Sequence, residues 1–274
     1  MRRAPTVVYC AIDPLISSRG NFLPGFEEFS TELNDASVPL VWVTNRSRGQ
    51  ADELRRKFGH NHPFIAEGGC GVYLPEDYFH LRASKTLRLG RFLCIPVADI
   101  QPAASKALES LGEEAGISIV ALRSLPPRQF AQNSGLSARE AELARQRDFD
   151  ELFFFAGASE EDVARFLVHA RGNKVEVRRR GALWSLAVGS SLSQCLSQLS
   201  RLSDRAVRGH VVTFGLGTSE GSDELFAACD RGVVLRQPGD QVSSRNPRPT
   251  KIREIPLTAA DLWDQVRTMI EPSA

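Results

Sequence analysis

Three short polar segments follow directly on β-branched apolar runs, and each carries groups able to hold an anion or move a proton. Asp13 interrupts the run at 6–12 (TVVYCAI). Thr44, Asn45 and Arg46 follow 39–43 (PLVWV), and Thr218 and Ser219 follow 210–214 (HVVTF) and the Gly215-Leu216-Gly217 stretch. A carboxylate at a strand end suits acid/base work or a hard cation. Thr44 has two readings: an anion contact at the strand end, or the cap of the next helix. Thr218 and Ser219 lie where a helix should start, so their groups can offer hydrogen bonds to an anion without a metal.

Other chemistries find little support. His60 and His62 are two apart in a GHNHP turn, with no Cys or carboxylate at ligand spacing, so a structural or surface role is expected. The cysteines (Cys10, Cys70, Cys94, Cys195, Cys229) are scattered without a CxxC pair, as reduced thiols of a cytoplasmic protein are. Lys and Arg number 34 against 33 Asp and Glu, which leaves no global field to draw nucleic acid or an anionic membrane. Arg178–Arg180 and the 245–253 loop are locally basic but lack interleaved aromatics, so no nucleic-acid partner is expected. The N-terminal MRRAPTVVYCAID has too short an apolar run for a signal peptide, and no segment approaches the ~20 apolar residues of a membrane span. A cytoplasmic protein with a small or locally recognised partner is the expectation, with no membrane partner.

The elements that must position these residues alternate strand and helix. Strands are expected at 6–12, 39–43, 63–66 and 72–74. A helix opening at Pro24-Gly25 carries Phe26, Phe29 and Leu33 on one face, and a second spans 49–58 with Ala51, Leu54 and Phe58. This is the pattern of a parallel sheet covered by helices. The middle differs: strand 92–95, helix 102–114, strand 117–122, a charged helix from a capping box at Ser137 to Arg147, strand 151–155, a helix capped by Ser159, and strands 175–177 and 183–188. The doubly wound pattern then returns, with helices at 191–202, 223–229 and 258–270 and strands at 210–214 and 232–235. A loop is expected at 237–251. The fold class expected is α/β, a doubly wound Rossmann-like core (1–81 and 187–274) with an inserted α+β cap (82–186).

That layout, with VPLVWVTNRSR at 38–48, PFIAEGGCGVYLPEDYF at 63–79 and SAREAELARQRDFDELFFF at 137–155, resembles capped haloacid dehalogenase phosphatases, and within them the mannosyl-3-phosphoglycerate phosphatases. The resemblance implies a reaction built on an aspartate nucleophile, an acid/base aspartate two residues later, Mg²⁺ held by carboxylates, and a lysine and a Ser/Thr on the phosphoryl oxygens. It implies a core–cap cleft lined by Thr44, Asn45, Arg46, Glu67, Arg145 and Arg147 for a phosphorylated sugar or glycerate, with Thr218 and Ser219 as further anion contacts.

Position by position, most of the machinery is replaced. Asp13 stands at the acid/base position, but the nucleophile position is Ala11. Pro14 removes a backbone N–H from a phosphate-cradling loop. Leu192 stands where the phosphate-binding lysine belongs, and Gln194 where a second lysine does. Thr218 and Ser222 replace the two metal-binding aspartates of a G-D-x-x-x-D motif. Loss of a nucleophile alone can cost on the order of 10⁶ in rate, roughly 8 kcal/mol of barrier. The expectation is therefore a binding or regulatory protein of phosphatase shape needing no cofactor. The alternative is an active phosphatase whose Mg²⁺ site is rebuilt around Asp13, Glu220 or Asp223.

Overall fold

A computed structural model describes residues 4–17, 20–79, 85–173, 175–219, 221–238 and 252–270. The first part runs Thr6–Ala11 (β1), Phe26–Asp35 (α1), Leu40–Val43 (β2), Arg48–Lys57 (α2), Phe64–Ala66 (β3), Gly71–Pro75 (β4), Leu87–Leu89 (β5) and Phe92–Pro96 (β6). The middle comprises Gln101–Ala115 (α3), Ile119–Ala121 (β7), Pro127–Ser134 (α4), Ala138–Ala144 (α5), Glu151–Phe155 (β8), Glu160–Gly172 (α6), Val175–Arg180 (β9) and Leu183–Val188 (β10). The chain then continues through Leu192–Val207 (α7), Val212–Thr218 (β11), Asp223–Ala227 (α8), Arg231–Arg236 (β12), Ile252–Pro256 (β13) and Leu262–Ile270 (α9).

Among the described residues the larger sheet has the order β13-β12-β11-β1-β2-β3-β4-β6-β5. It is parallel from β13 to β3 and antiparallel from β4 onward. The central strand shows why the sequence reads as continuous apolar runs. In β1, Val8 and Cys10 join the core under α1 and α9, while Val7 and Tyr9 join the core under α7. A strand buried on both faces cannot alternate with polar residues. The parallel strands end together, so Ala11, Val43 and Thr218 arrive at one edge, the usual location of ligand sites in open α/β sheets.

The smaller sheet, β7-β8-β10-β9, is antiparallel and packs against α3 and α6 through Phe153, Phe166, Leu108 and Leu186. The doubly wound core with an α+β cap holds. The expected boundary at residue 82 does not match the strand pairing: β6 pairs with β4 in the larger sheet, and the excursion to the second sheet starts only after it. The helix expected to run from Ser137 to Arg147 stops at Ala144, because the N–H groups of Asp148, Phe149 and Asp150 are taken by the Glu67 carboxylate at 2.8, 2.9 and 2.9 Å. Three of these elements were not expected: β5; α4, opened by Pro126-Pro127; and β13, which lies partly in the 245–253 segment. Residues 239–251, most of the loop expected at 237–251, lie outside the described residues.

The cap is docked on the core by bonds that cross between them. Ser47 Oγ donates to the Leu143 carbonyl (2.7 Å), Arg48 Nε to Asp148 Oδ2 (2.8 Å) and Arg147 Nη2 to the Asn45 carbonyl (2.8 Å). All five cysteines are buried and unpaired. No helix among the described residues is long and apolar enough to cross a membrane.

Candidate functional site

The site is a cleft of about 560 Å³ between the strand ends and β9 of the cap. Its floor is lined by Ala11, Asp13, Thr44, Leu192, Thr218 and Ser222, so the positions that the sequence singled out do converge. Ala11 and Gly217 are in close contact: a side-chain carbon at Gly217 would lie 3.2 Å from Ala11 Cβ and 2.7 Å from Ser222 Oγ. The end of β1 therefore presents a methyl group where the resemblance asks for a nucleophile.

Asp13 is the floor carboxylate, and its oxygens are already taken. Thr44 Oγ1 donates to Oδ1 (2.6 Å), the Asn45 N–H donates to Oδ2 (2.6 Å), and Arg46 Nε lies 3.3 Å from Oδ1. Thr44 Oγ1 in turn accepts the Arg46 N–H (3.1 Å). Thr44 is not the cap of α2, which is Ser47 in a full capping box with Gln50. Thr44 instead orients Asp13.

These residues do not fit a Mg²⁺ ion. A hard dication wants several carboxylate or water oxygens. The positions that would surround it offer a methyl group, two hydroxyl side chains, and a carboxylate already beside a guanidinium. Among the described residues, no group of three or more His, Cys, Asp or Glu side chains is placed to hold a metal ion. Asp223 is exposed at the start of α8 and does not line the cleft, and Glu220 lies outside the described residues.

The cleft's cationic wall comes from residues that the sequence reading treated only as a weak nucleic-acid candidate. Glu176, Arg178 and Arg180 alternate along β9 on the face toward the cleft, while Val175 and Val177 pack into the cap core. Arg179 reaches the rim. Arg178 is engaged at all three nitrogens: Nη1 donates to the Gly68 carbonyl, Nε lies 3.1 Å from Glu176 Oε1, and Nη2 lies 3.5 Å from Glu224 Oε2. Arg180 is different. Its Nε donates to Ser185 Oγ (3.2 Å), but no carboxylate among the described residues lies within ion-pair distance of it. Burial, then the neighbouring Arg178 charge, push its pKa down to about 10. Such a cation gains from an anion arriving in the cleft. The period-two spacing in VEVRRR was the signal available in the sequence.

Several expected contacts lie elsewhere. Glu67 does not line the cleft; it is buried at a left-handed backbone position and spends both oxygens on the three N–H groups of residues 148–150. Burial, then the adjacent Asp150 carboxylate, hold its pKa above the usual carboxylate range. Arg147 is buried against Asp150 and the Asn45 carbonyl. Burial alone would lower its pKa, but Asp150 and Glu67 outweigh that and raise it. Arg145 donates to the carbonyls of Leu125 (3.1 Å) and Arg123 (3.3 Å). All three build the cap and its docking rather than the cleft wall. Of the remainder, Asn45 and Thr218 line the cleft, Arg46 acts on it through Asp13, and Ser219 is half-buried beside it.

No family model matches the chain. A glucosyl-3-phosphoglycerate/mannosyl-3-phosphoglycerate phosphatase of Methanococcoides burtonii is 24% identical over 208 residues, 75% of each chain. A mannosyl-3-phosphoglycerate phosphatase of Pyrococcus furiosus is 22% identical over 226 residues, 82% of this chain and 87% of that one. A solved phosphatase of the HAD enzyme superfamily from Bacteroides thetaiotaomicron superposes with a TM-score of 0.65 at 15% identity, covering 97% of this chain and 95% of its own. With the strand order, the inserted cap and the motif positions gathered in one cleft, the chain has the fold of the capped phosphatases of the haloacid dehalogenase superfamily and is similar in sequence to the mannosyl-3-phosphoglycerate phosphatases.

Proposed function

We propose that the chain binds a phosphorylated sugar or glycerate in the core–cap cleft and does not hydrolyse it. The observation that carries this reading is Arg180, a half-buried guanidinium without a carboxylate within ion-pair distance among the described residues, facing a cleft whose nucleophile position is Ala11. The relatives' substrates are sugar-linked 3-phosphoglycerates, molecules whose phosphate or carboxylate could meet such a cation. A charge-assisted hydrogen bond to a guanidinium contributes about 1.5–3 kcal/mol, enough to select anions without a metal. In this reading Asn45 and Thr218 add polar contacts at the floor, Asp13 and Arg46 set the shape of the floor, and Mg²⁺ is not needed.

Titration with mannosyl-3-phosphoglycerate and glucosyl-3-phosphoglycerate in EDTA tests it. Saturable binding, with the compound recovered intact, is the expected result. In a parallel incubation with Mg²⁺ in place of EDTA, release of inorganic phosphate that Asp13→Ala abolishes would replace this reading with that of an active phosphatase with a reorganised site. Absence of binding to either compound, or to 3-phosphoglycerate itself, would overturn the reading altogether.

A further inference from the structure

Glu224 is the other end of the cleft's charge network. It lies in α8, lines the cleft, and uses its two oxygens on two separate elements. Oε1 accepts the backbone N–H of Ser193 (2.9 Å) in the first turn of α7, while Oε2 lies 3.5 Å from Arg178 Nη2 of the cap. Thus a carboxylate from the chain itself sits between a cap guanidinium and a helix N–H, on the edge of a 560 Å³ cleft. Both partners are of the kind that holds a phosphate or carboxylate. Of the other cleft carboxylates, Asp13 is bound to Thr44, Asn45 and Arg46, while Glu176 holds Nε of the same Arg178 and does not reach the Ser193 N–H.

We infer that Glu224 is an internal surrogate anion, displaced from Arg178 and the Ser193 N–H when the anionic group of a ligand enters. This rests on the anion-binding reading of the cleft and goes beyond it by naming the residue that sets the threshold for entry. An incoming phosphoryl group gains Arg180, which has no carboxylate to release, and shares Arg178 only by expelling Glu224. A weakly charged or monoanionic ligand gains too little to do so, which makes the site selective for dianions. The cap stays docked during the exchange, because its other ties to the core do not involve Glu224.

The test uses inorganic phosphate in EDTA on the full chain, its Glu224→Gln variant and its Glu176→Gln variant. Glu224→Gln keeps an oxygen acceptor for the Ser193 N–H, so the fold is retained, which an unchanged melting temperature verifies. Glu176→Gln removes one charge from the same guanidinium but leaves the charged Glu224 carboxylate between Arg178 and the Ser193 N–H. Glu224→Gln is expected to bind phosphate roughly tenfold tighter than the unaltered chain, and Glu176→Gln at most about threefold tighter. The Ser193 amide resonance should shift on phosphate addition in the unaltered chain, since its acceptor changes. Equal affinity in the unaltered chain and Glu224→Gln, equal gains in both variants, or a Ser193 resonance that phosphate leaves in place would each overturn the displacement. Failure of all three proteins to bind phosphate would overturn the anion-binding reading, and the displacement with it.

Discussion

Arg180 of the cap lies directly over Gly68 of the core: a side-chain carbon at Gly68 would fall within 3.0 Å of Arg180 Nη2 and 2.8 Å from Arg178 Nη1. Gly68 also has φ +67°, in the region where a side chain is strained. The loop after β3 therefore yields its side-chain space to the two arginines of β9. Gly68→Ala should destabilise the chain by about 1–2 kcal/mol from backbone strain and displaced guanidinium groups. It should also weaken phosphate binding. Urea unfolding and phosphate titration measure the two effects, and unchanged values for both would show that the close approach is unimportant.

Arg180→Met should separate binding from stability. The variant keeps an apolar stem but removes a cation lacking a carboxylate partner, so thermal stability should hold or rise slightly. Phosphate affinity should fall about 10- to 100-fold, the equivalent of one charge-assisted contact. A drop in melting temperature with affinity intact would mean that Arg180 serves only to pack the cap.

Glu67→Ala should act in the opposite way. It leaves the N–H groups of Asp148, Phe149 and Asp150 without their acceptor and deprives the buried Arg147 of a neighbouring carboxylate. The expected cost is about 3 kcal/mol or more of unfolding free energy. Any binding that survives in the folded fraction should be close to that of the unaltered chain, since Glu67 does not line the cleft. Loss of affinity without loss of stability would restore Glu67 to the binding site.

The buried His60 gives a pH dependence with a definite sign. Its ring stacks on Trp42 (4.0 Å), Nδ1 accepts from Arg55 Nε (3.3 Å), and Nε2 lies 2.7 Å from the Leu40 carbonyl, an arrangement suited to the neutral ring. Burial, chiefly, pushes its pKa down to about 3. The unfolded chain then binds the proton more readily than the folded one between pH 6.5 and 3. The His60 contribution is present above pH 6.5 and is lost as pH falls through that window, at most about 1.4 kcal/mol per unit. Comparing unfolding free energies of the unaltered chain and His60→Gln from pH 7.5 to 4.5 isolates it. The two curves should converge on acidification; parallel curves would contradict the assignment.

Local signals and tertiary pairing divided what the sequence revealed. The apolar runs of β1 and β2, and the capping boxes at Ser137 and Ser159, are local, so the doubly wound core and the α+β insertion were legible. The strand at Phe92 was also legible, but its partner was not. Nothing in FLCIP distinguishes an edge beside β4 from one in the cap, and the boundary was displaced accordingly. The floor positions Ala11, Leu192, Thr218 and Ser222 were found through the motif positions that the resemblance implies, and the convergence of strand ends brings them together. Glu67 and Arg147 looked like ligand contacts because a buried charge and a binding charge have the same residue type; only the acceptor and donor geometry separates them. Arg178 and Arg180 looked like a basic run because the face of an insertion strand that meets the core is set by docking, not by composition.

The central claim is that a phosphatase fold here recognises without cutting. The most direct measurement is phosphate release from mannosyl-3-phosphoglycerate with Mg²⁺ at high protein concentration, compared with protein-free buffer and with Asp13→Ala. The account predicts no release above buffer by either protein, while the compound binds and protects the chain against thermal unfolding. Release by the unaltered chain that Asp13→Ala removes would contradict it.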